Sequence, residues 1–166
     1  MTNLLSKTAV IHRPSNERFH SRLSWLDSRH TFSFSNHFDP AWTGFGPLLV
    51  INDDTIAAGE GFGMHPHRDM EIITVMVEGQ INHQDSMGHA EVLRAGEVQR
   101  MSAGTGIVHS EMNKGESPCR LLQIWIAPVH KGLEPSYEQR HIEVGKAWTP
   151  LLNPDPSQGA MAIDRP

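Results

Sequence analysis

GEGFGMHPHRDMEIITVMVEG, Gly59 to Gly79, and GEVQRMSAGTGIVHSEMN, Gly96 to Asn113, are the stretches on which the reading of this chain turns. The run MEIITVMV, Met70 to Val77, is dense in β-branched residues and reads as a buried strand. His65 and His67 stand two apart, as do His109 and Glu111. In extended chain, side chains at i and i+2 share a face, so each pair aims two donor atoms into a common space. Two such strands meeting inside a barrel supply three imidazoles and one carboxylate, the donors of a mononuclear metal site. Glu71 also lies on the odd-numbered face with His65 and His67, and spacing alone leaves Glu71 and Glu111 both eligible. His83 could face the same space. Gly59, Gly61 and Gly63 let backbone come close to a ligand or a neighbouring strand.

Working outward, Lys7 to His12 reads as a short strand and Arg13 to Arg22 as a polar turn region. Leu23 to Trp42 suits short strands joined by Ser, Asn, Asp and Pro turns. Phe45 to Ile51 is expected to be a strand that ends at a turn, Asn52-Asp53-Asp54, before Thr55 to Ala58. Glu78-Gly79 closes the Met70–Val77 strand, and Gln80 to Gln84 starts the return strand. Glu91 to Leu93, Val98 to Ser102 and Arg120 to Ala127 follow as strands, the last apolar from Leu121 to Ile126 apart from Gln123. Pro135 to Val144 is expected to give a helical turn and an edge strand. Many short strands between turns, with no long helix, indicate an all-β barrel or sandwich.

Composition narrows the classes of function. Hydrophobic residues at 38% and charged residues at 20% describe an ordinary folded domain, and 166 residues suffice for one core. A formal charge of −5 argues against a broad nucleic-acid-binding surface. Arg68, Arg94, Arg100, Lys114 and Arg120 are interspersed with acids, which predicts a mixed, solvated surface. Eleven histidines against the single Cys119 remove any intrachain disulfide and any thiolate-rich zinc site. An isolated His-x-His among so many histidines says little; the second pair at His109 and Glu111, after Gly104 and Gly106, is what makes a metal site the favoured reading. His12, His20, His30, His37, His89, His130 and His141 lack such a pattern. The methionines read as adaptable core filler. Glu71, Gln84 and Ser110 are candidates to orient the imidazoles. No signal-length apolar segment or membrane span is visible, so a cytoplasmic location with no membrane partner is expected.

These residues resemble the cupin superfamily and, within it, the pirin family. Gly59, His65, His67 and Glu71 fit the first cupin motif, and Gly96, His109 and Asn113 the second. HPHRDMEI, VEGQINHQDSMG and MSAGTGIVHSE carry the closer likeness to bacterial pirins, with WLDSRHTFSF upstream and LLQIWI downstream, from about Trp25 to Arg140. The resemblance implies a cupin fold, a double-stranded β-helix or jelly-roll-like barrel. Residues 1–150 would form a pirin-type N-terminal cupin domain, and the Pro-rich 151–166 looks like the opening of a second. It also implies the metal ligands His65, His67, His109 and Glu111, which settles the carboxylate on likeness to the family.

The implied cofactor is one divalent ion, iron(II) first, with manganese, copper, nickel or zinc as other fits. The implied activity is that of a quercetin 2,3-dioxygenase: a flavonol-like aromatic substrate is opened by dioxygen with loss of carbon monoxide, and Glu111 is the catalytic base. The alternative is a non-enzymatic metal-binding regulatory protein, a transcriptional or metabolic co-regulator. No direct nucleic-acid contact is expected, whereas a protein partner or self-association would cover surface that a second domain otherwise hides.

Overall fold

The computed structural model describes residues 10–143, 145, 148–156 and 159–164. Its strands are β1 (Phe19–Arg22), β2 (Leu26–His30), β3 (Leu48–Ile56), β4 (Gly61–His67), β5 (Glu71–Glu78), β6 (Gln80–Asp85) and β7 (Ala90–Arg94). They continue as β8 (Glu97–Ser102), β9 (Ile107–Met112), β10 (Cys119–Ile126), β11 (Ser136–His141), β12 (Leu152–Asn153) and β13 (Met161–Ala162). Seven strands form one sheet in the order β1-β2-β3-β10-β5-β8-β11, and four form another in the order β4-β9-β6-β7. The sheets face one another in the expected cupin jelly roll. Ile56, Met76 and Leu121 of the large sheet pack with Ile81 and Leu93 of the small one. Ile72 and Met101 likewise meet Ile107. Those side chains are almost fully withdrawn from water, and their burial is the main force holding the layers together.

Several expectations are corrected. Of the Lys7–His12 strand, residues 7–9 lie outside the described residues and Val10 to His12 carry no strand. The polar region after it holds a single 3₁₀ turn, Ser15–Glu17, and then β1, antiparallel to β2. Asn52-Asp53-Asp54 is no turn: β3 runs through it. Asn52 and Asp54 point inward, while Asp53 faces out to meet the Arg120 guanidinium with two contacts of 2.8 Å. β6 does not return beside β5. Gly79, at φ +73°, turns a corner so tight that a Cβ there would lie 2.9 Å from the Cys119 Cβ, and β6 joins the other sheet between β9 and β7. β11 is the expected edge strand, without a helical turn among the described residues before it. Arg100, expected on the solvated surface, is 6% exposed.

Candidate metal centre

β4 and β9 are antiparallel partners, and their register sets His65 directly across from His109. A bulge between Phe62 and His65 shifts the alternation, so that Phe62 faces Glu111 while His65 and His67 keep one face. Gly61 allows this close pairing: a Cβ there would sit 2.3 Å from the Glu111 carbonyl oxygen and 2.7 Å from the Met112 Cα. The three imidazoles converge, with ring centroids 4.8 Å apart for His65 and His67, 4.4 Å for His65 and His109, and 5.0 Å for His67 and His109. Their ligand atoms lie within 4.8 Å of one another, a spacing that one metal ion can bridge. A second group of equally close atoms joins His83, His109 and Glu111.

The chemistry of the donors fits an ion. His65 donates from Nδ1 to the Gly63 carbonyl at 2.7 Å, which leaves the Nε2 lone pair for a ligand. His109 is 1% exposed, and neither ring nitrogen has a hydrogen-bond partner. A buried imidazole with both nitrogens unpaired is costly in an apolar interior, and a metal ion would satisfy one of them. Burial, reinforced by the other imidazoles, pushes His109 down to about 2. Burial and His65 push His67 down to about 4. His67 and His109 are thus neutral at ordinary pH, as ligation by imidazole requires.

Glu111, 2% exposed, is fixed by three neutral donors. Thr74 Oγ1 and Gln99 Nε2 reach Oε1 at 3.0 and 2.8 Å, and Gln123 Nε2 reaches Oε2 at 2.8 Å. The sequence reading missed all three. Thr74 in MEIITVMV and Gln123 in RLLQIWI are polar residues set in apolar strands, and that interruption was the available signal; Gln99 stands in the mixed strand EVQRMS, which carries no such signal.

Glu71 does not share the site. The chain turns between β4 and β5, with Asp69 at φ +48°, and Glu71 enters the large sheet. There it accepts a 2.5 Å hydrogen bond from Ser102 in a depression lined by Arg100 and Asp164. Nor do the other candidate orienting groups serve. Gln84 is exposed, and Ser110 points to the face opposite His109 and Glu111. His83 is buried on the same face as Glu111, its cross-strand partner, with Nε2 3.0 Å from Asp85 Oδ2 and Tyr137 stacked on its ring.

His65, His67 and Glu111 open onto a cleft of about 160 Å³. Phe34, Phe62 and Trp125 give it an aromatic wall, and Trp125 meets the His67 ring edge-on at 5.0 Å. Ser28, His30, Asn52 and Asp54 give it a polar wall. His30, set aside in the sequence reading, therefore borders the site.

Comparisons with known proteins identify the family. The chain is 52% identical over 152 residues to a quercetin 2,3-dioxygenase of Escherichia coli K12, covering 91% of this chain and 66% of that protein. It is 50% identical over 131 residues to a putative quercetin 2,3-dioxygenase of Zymomonas mobilis, covering 79% and 56%. The crystal structure of the Escherichia coli bacterial pirin YhhW in complex with nickel(II) matches with a TM-score of 0.89 at 51% identity, covering 92% of this chain and 66% of that one. The chain thus spans less than two thirds of the length of these relatives. Residues 12–126 match the Pirin family, and on that match and those identities the chain belongs to the pirin family of cupins.

Proposed function

We propose that His65, His67, His109 and Glu111 hold one divalent metal ion, and that the cleft beside them takes a flavonol-like substrate for ring opening by dioxygen. The observation that carries this reading is the buried His109, unpartnered at both nitrogens, at the meeting point of two further imidazoles and a fixed carboxylate. The likeness to proteins named quercetin 2,3-dioxygenase supports the reaction. Iron(II) is the ion proposed first, since imidazoles joined by one carboxylate suit it. The ion would supply Lewis acidity, drawing charge from a chelating hydroxyl and making it acidic.

The chain's own residues do the rest. Phe34, Phe62 and Trp125 present flat apolar surface to an aromatic ring system and keep water from its faces. Glu111, held by Thr74, Gln99 and Gln123, stands ready without rearrangement to receive the proton of the substrate hydroxyl.

The test is metal content by mass spectrometry on untagged protein, measured beside oxygen uptake with quercetin. The expected result is about one ion per chain, uptake with quercetin, loss of metal in His109→Ala, and uptake lowered at least about a hundredfold in Glu111→Ala. Iron-, manganese- and nickel-loaded wild-type protein that consumes no oxygen with quercetin would sink the dioxygenase reading.

A further inference from the structure

Buried imidazole nitrogens rarely go without a hydrogen-bond partner, yet among the described residues three do so at one place. They are both ring nitrogens of His109 and Nδ1 of His83. An ion held by His109 claims one of its nitrogens. The other then carries the hydrogen of the neutral ring, which makes it a buried donor in need of an acceptor. Glu111 cannot serve it. Its Oε1 accepts from Thr74 and Gln99 and its Oε2 from Gln123, so the remaining lone pair is the one left for the ion.

His83 has the opposite need. Its side chain is fully withdrawn from water, and Nε2 lies 3.0 Å from Asp85 Oδ2. Asp85 stands as an acceptor on both oxygens. The main-chain amides of Met87 and His89 donate to Oδ1 at 2.9 and 3.1 Å, and His89 Nδ1 is 2.9 Å from Oδ2. Burial works against the charge of this carboxylate, but the hydrogen bonds from His83, His89 and Met87 outweigh it and hold Asp85 below its ordinary value. The hydrogen of the His83 ring therefore sits on Nε2, and the unpaired Nδ1 offers a lone pair. Tyr137 is stacked on His83 at 4.6 Å and on His89 at 4.9 Å, which clamps the plane of the His83 ring. The centroids of His83 and His109 are 5.4 Å apart, and a ring nitrogen of each lies within 4.8 Å of the other.

We propose that His83 is a positioning residue of the metal centre: its Nδ1 accepts the hydrogen that His109 keeps when its other nitrogen binds the ion. The inference rests on the ligand reading above and not on the reaction. Rotation of the His109 ring, as the ion orders it, closes the gap to His83. Asp85, His83 and His109 then form a carboxylate–imidazole–imidazole chain behind the ion. The chain fixes which His109 nitrogen faces His65 and His67, and the charge of Asp85 strengthens His109 as a ligand. This arrangement satisfies all three unpaired nitrogens. His83 as a ligand in its own right would satisfy two and leave the His109 hydrogen without an acceptor.

The test is magnetic resonance of the whole chain, labelled with nitrogen-15 histidine and loaded with cadmium-113, whose coupling to nitrogen identifies each ligand directly. Coupling is expected at His65, His67 and His109 and not at His83. The remaining ring N–H of His109 should exchange slowly with water and show a second coupling, across the hydrogen bond, to His83 Nδ1. Zinc affinity is measured in parallel by competition with a coloured chelator. His83→Ala is expected to bind zinc about 10–100-fold more weakly than wild type. His83→Asn, whose amide oxygen can take the place of Nδ1, should recover part of that loss. Should His83→Ala fail to fold, the wild-type spectra decide alone.

Cadmium coupling at His109 with no coupling from its N–H to His83 overturns the inference and leaves the ligand set standing. Cadmium coupling at His83 makes it a ligand and overturns the positioning role. Folded His83→Ala that holds zinc as tightly as wild type, or His83→Asn no tighter than His83→Ala, does the same. Absence of cadmium coupling at His109 removes the ligand set and the inference together.

Discussion

Asp54 and Glu111 share a cleft and differ in surroundings. Glu111 accepts from three donors, whereas Asp54 is held by the Ser28 hydroxyl and lifted to about 7 by burial, with the charges of Glu111 and Asp53 adding to the rise. The sign of the stability effect follows. Between the ordinary value of 3.8 and about 7, folded Asp54 keeps a proton that the unfolded chain has lost. Its contribution to stability is fully present below that window and is lost as pH rises through 7. Asp54→Asn should therefore gain thermal stability relative to wild type between pH 5 and 8, read as a change of Tm difference in a pH series of melts. A pH-independent Tm difference would contradict the assignment.

The strands explain how residues so far apart in sequence meet, and they also show how far the sequence could be read. Gly61→Ala should cost about 1–3 kcal/mol in denaturant unfolding, because a methyl there presses on the Glu111 carbonyl and Met112. The same variant should hold less metal, since the strain falls on the backbone that carries Glu111. The existence of β4, β5, β9 and β10 was legible, as dense apolar runs and i, i+2 pairs leave little choice of conformation.

Sheet membership was not legible. Glu78-Gly79 looks like a hairpin turn, yet the chain uses it as a corner between sheets, a distinction made by packing against Cys119 rather than by the turn itself. Asn52-Asp53-Asp54 has the composition of a turn, but a strand lining a polar cleft carries the same residues. Glu71 lay on the correct parity for the site, and only the turn at Arg68 to Met70 takes it into the other sheet.

At the scale of the whole molecule, the large sheet is buried on both faces over β5 and β8. Its inner face carries the cleft, and its outer face is covered by the segment holding β12 and β13. Leu151, Leu152 and Ile163 pack there with Ile73, Val98 and Met161, the last only 1% exposed. Met161→Ala should lower stability by about 2–5 kcal/mol in chemical denaturation while leaving metal content unchanged, because the two faces of the sheet are separate layers. A loss of metal in the folded variant would show instead that the faces are coupled. No helix among the described residues is long and apolar enough to cross a membrane.

The edge-on meeting of Trp125 with His67 gives the protein an optical gauge of its own interior. An indole emits strongly until an electron-accepting or light-absorbing neighbour comes within a few ångströms. The group that orders His67, or a flavonol laid along the aromatic wall, would arrive at that range, so filling of the cleft is written into the intrinsic fluorescence and can be followed in real time without a label.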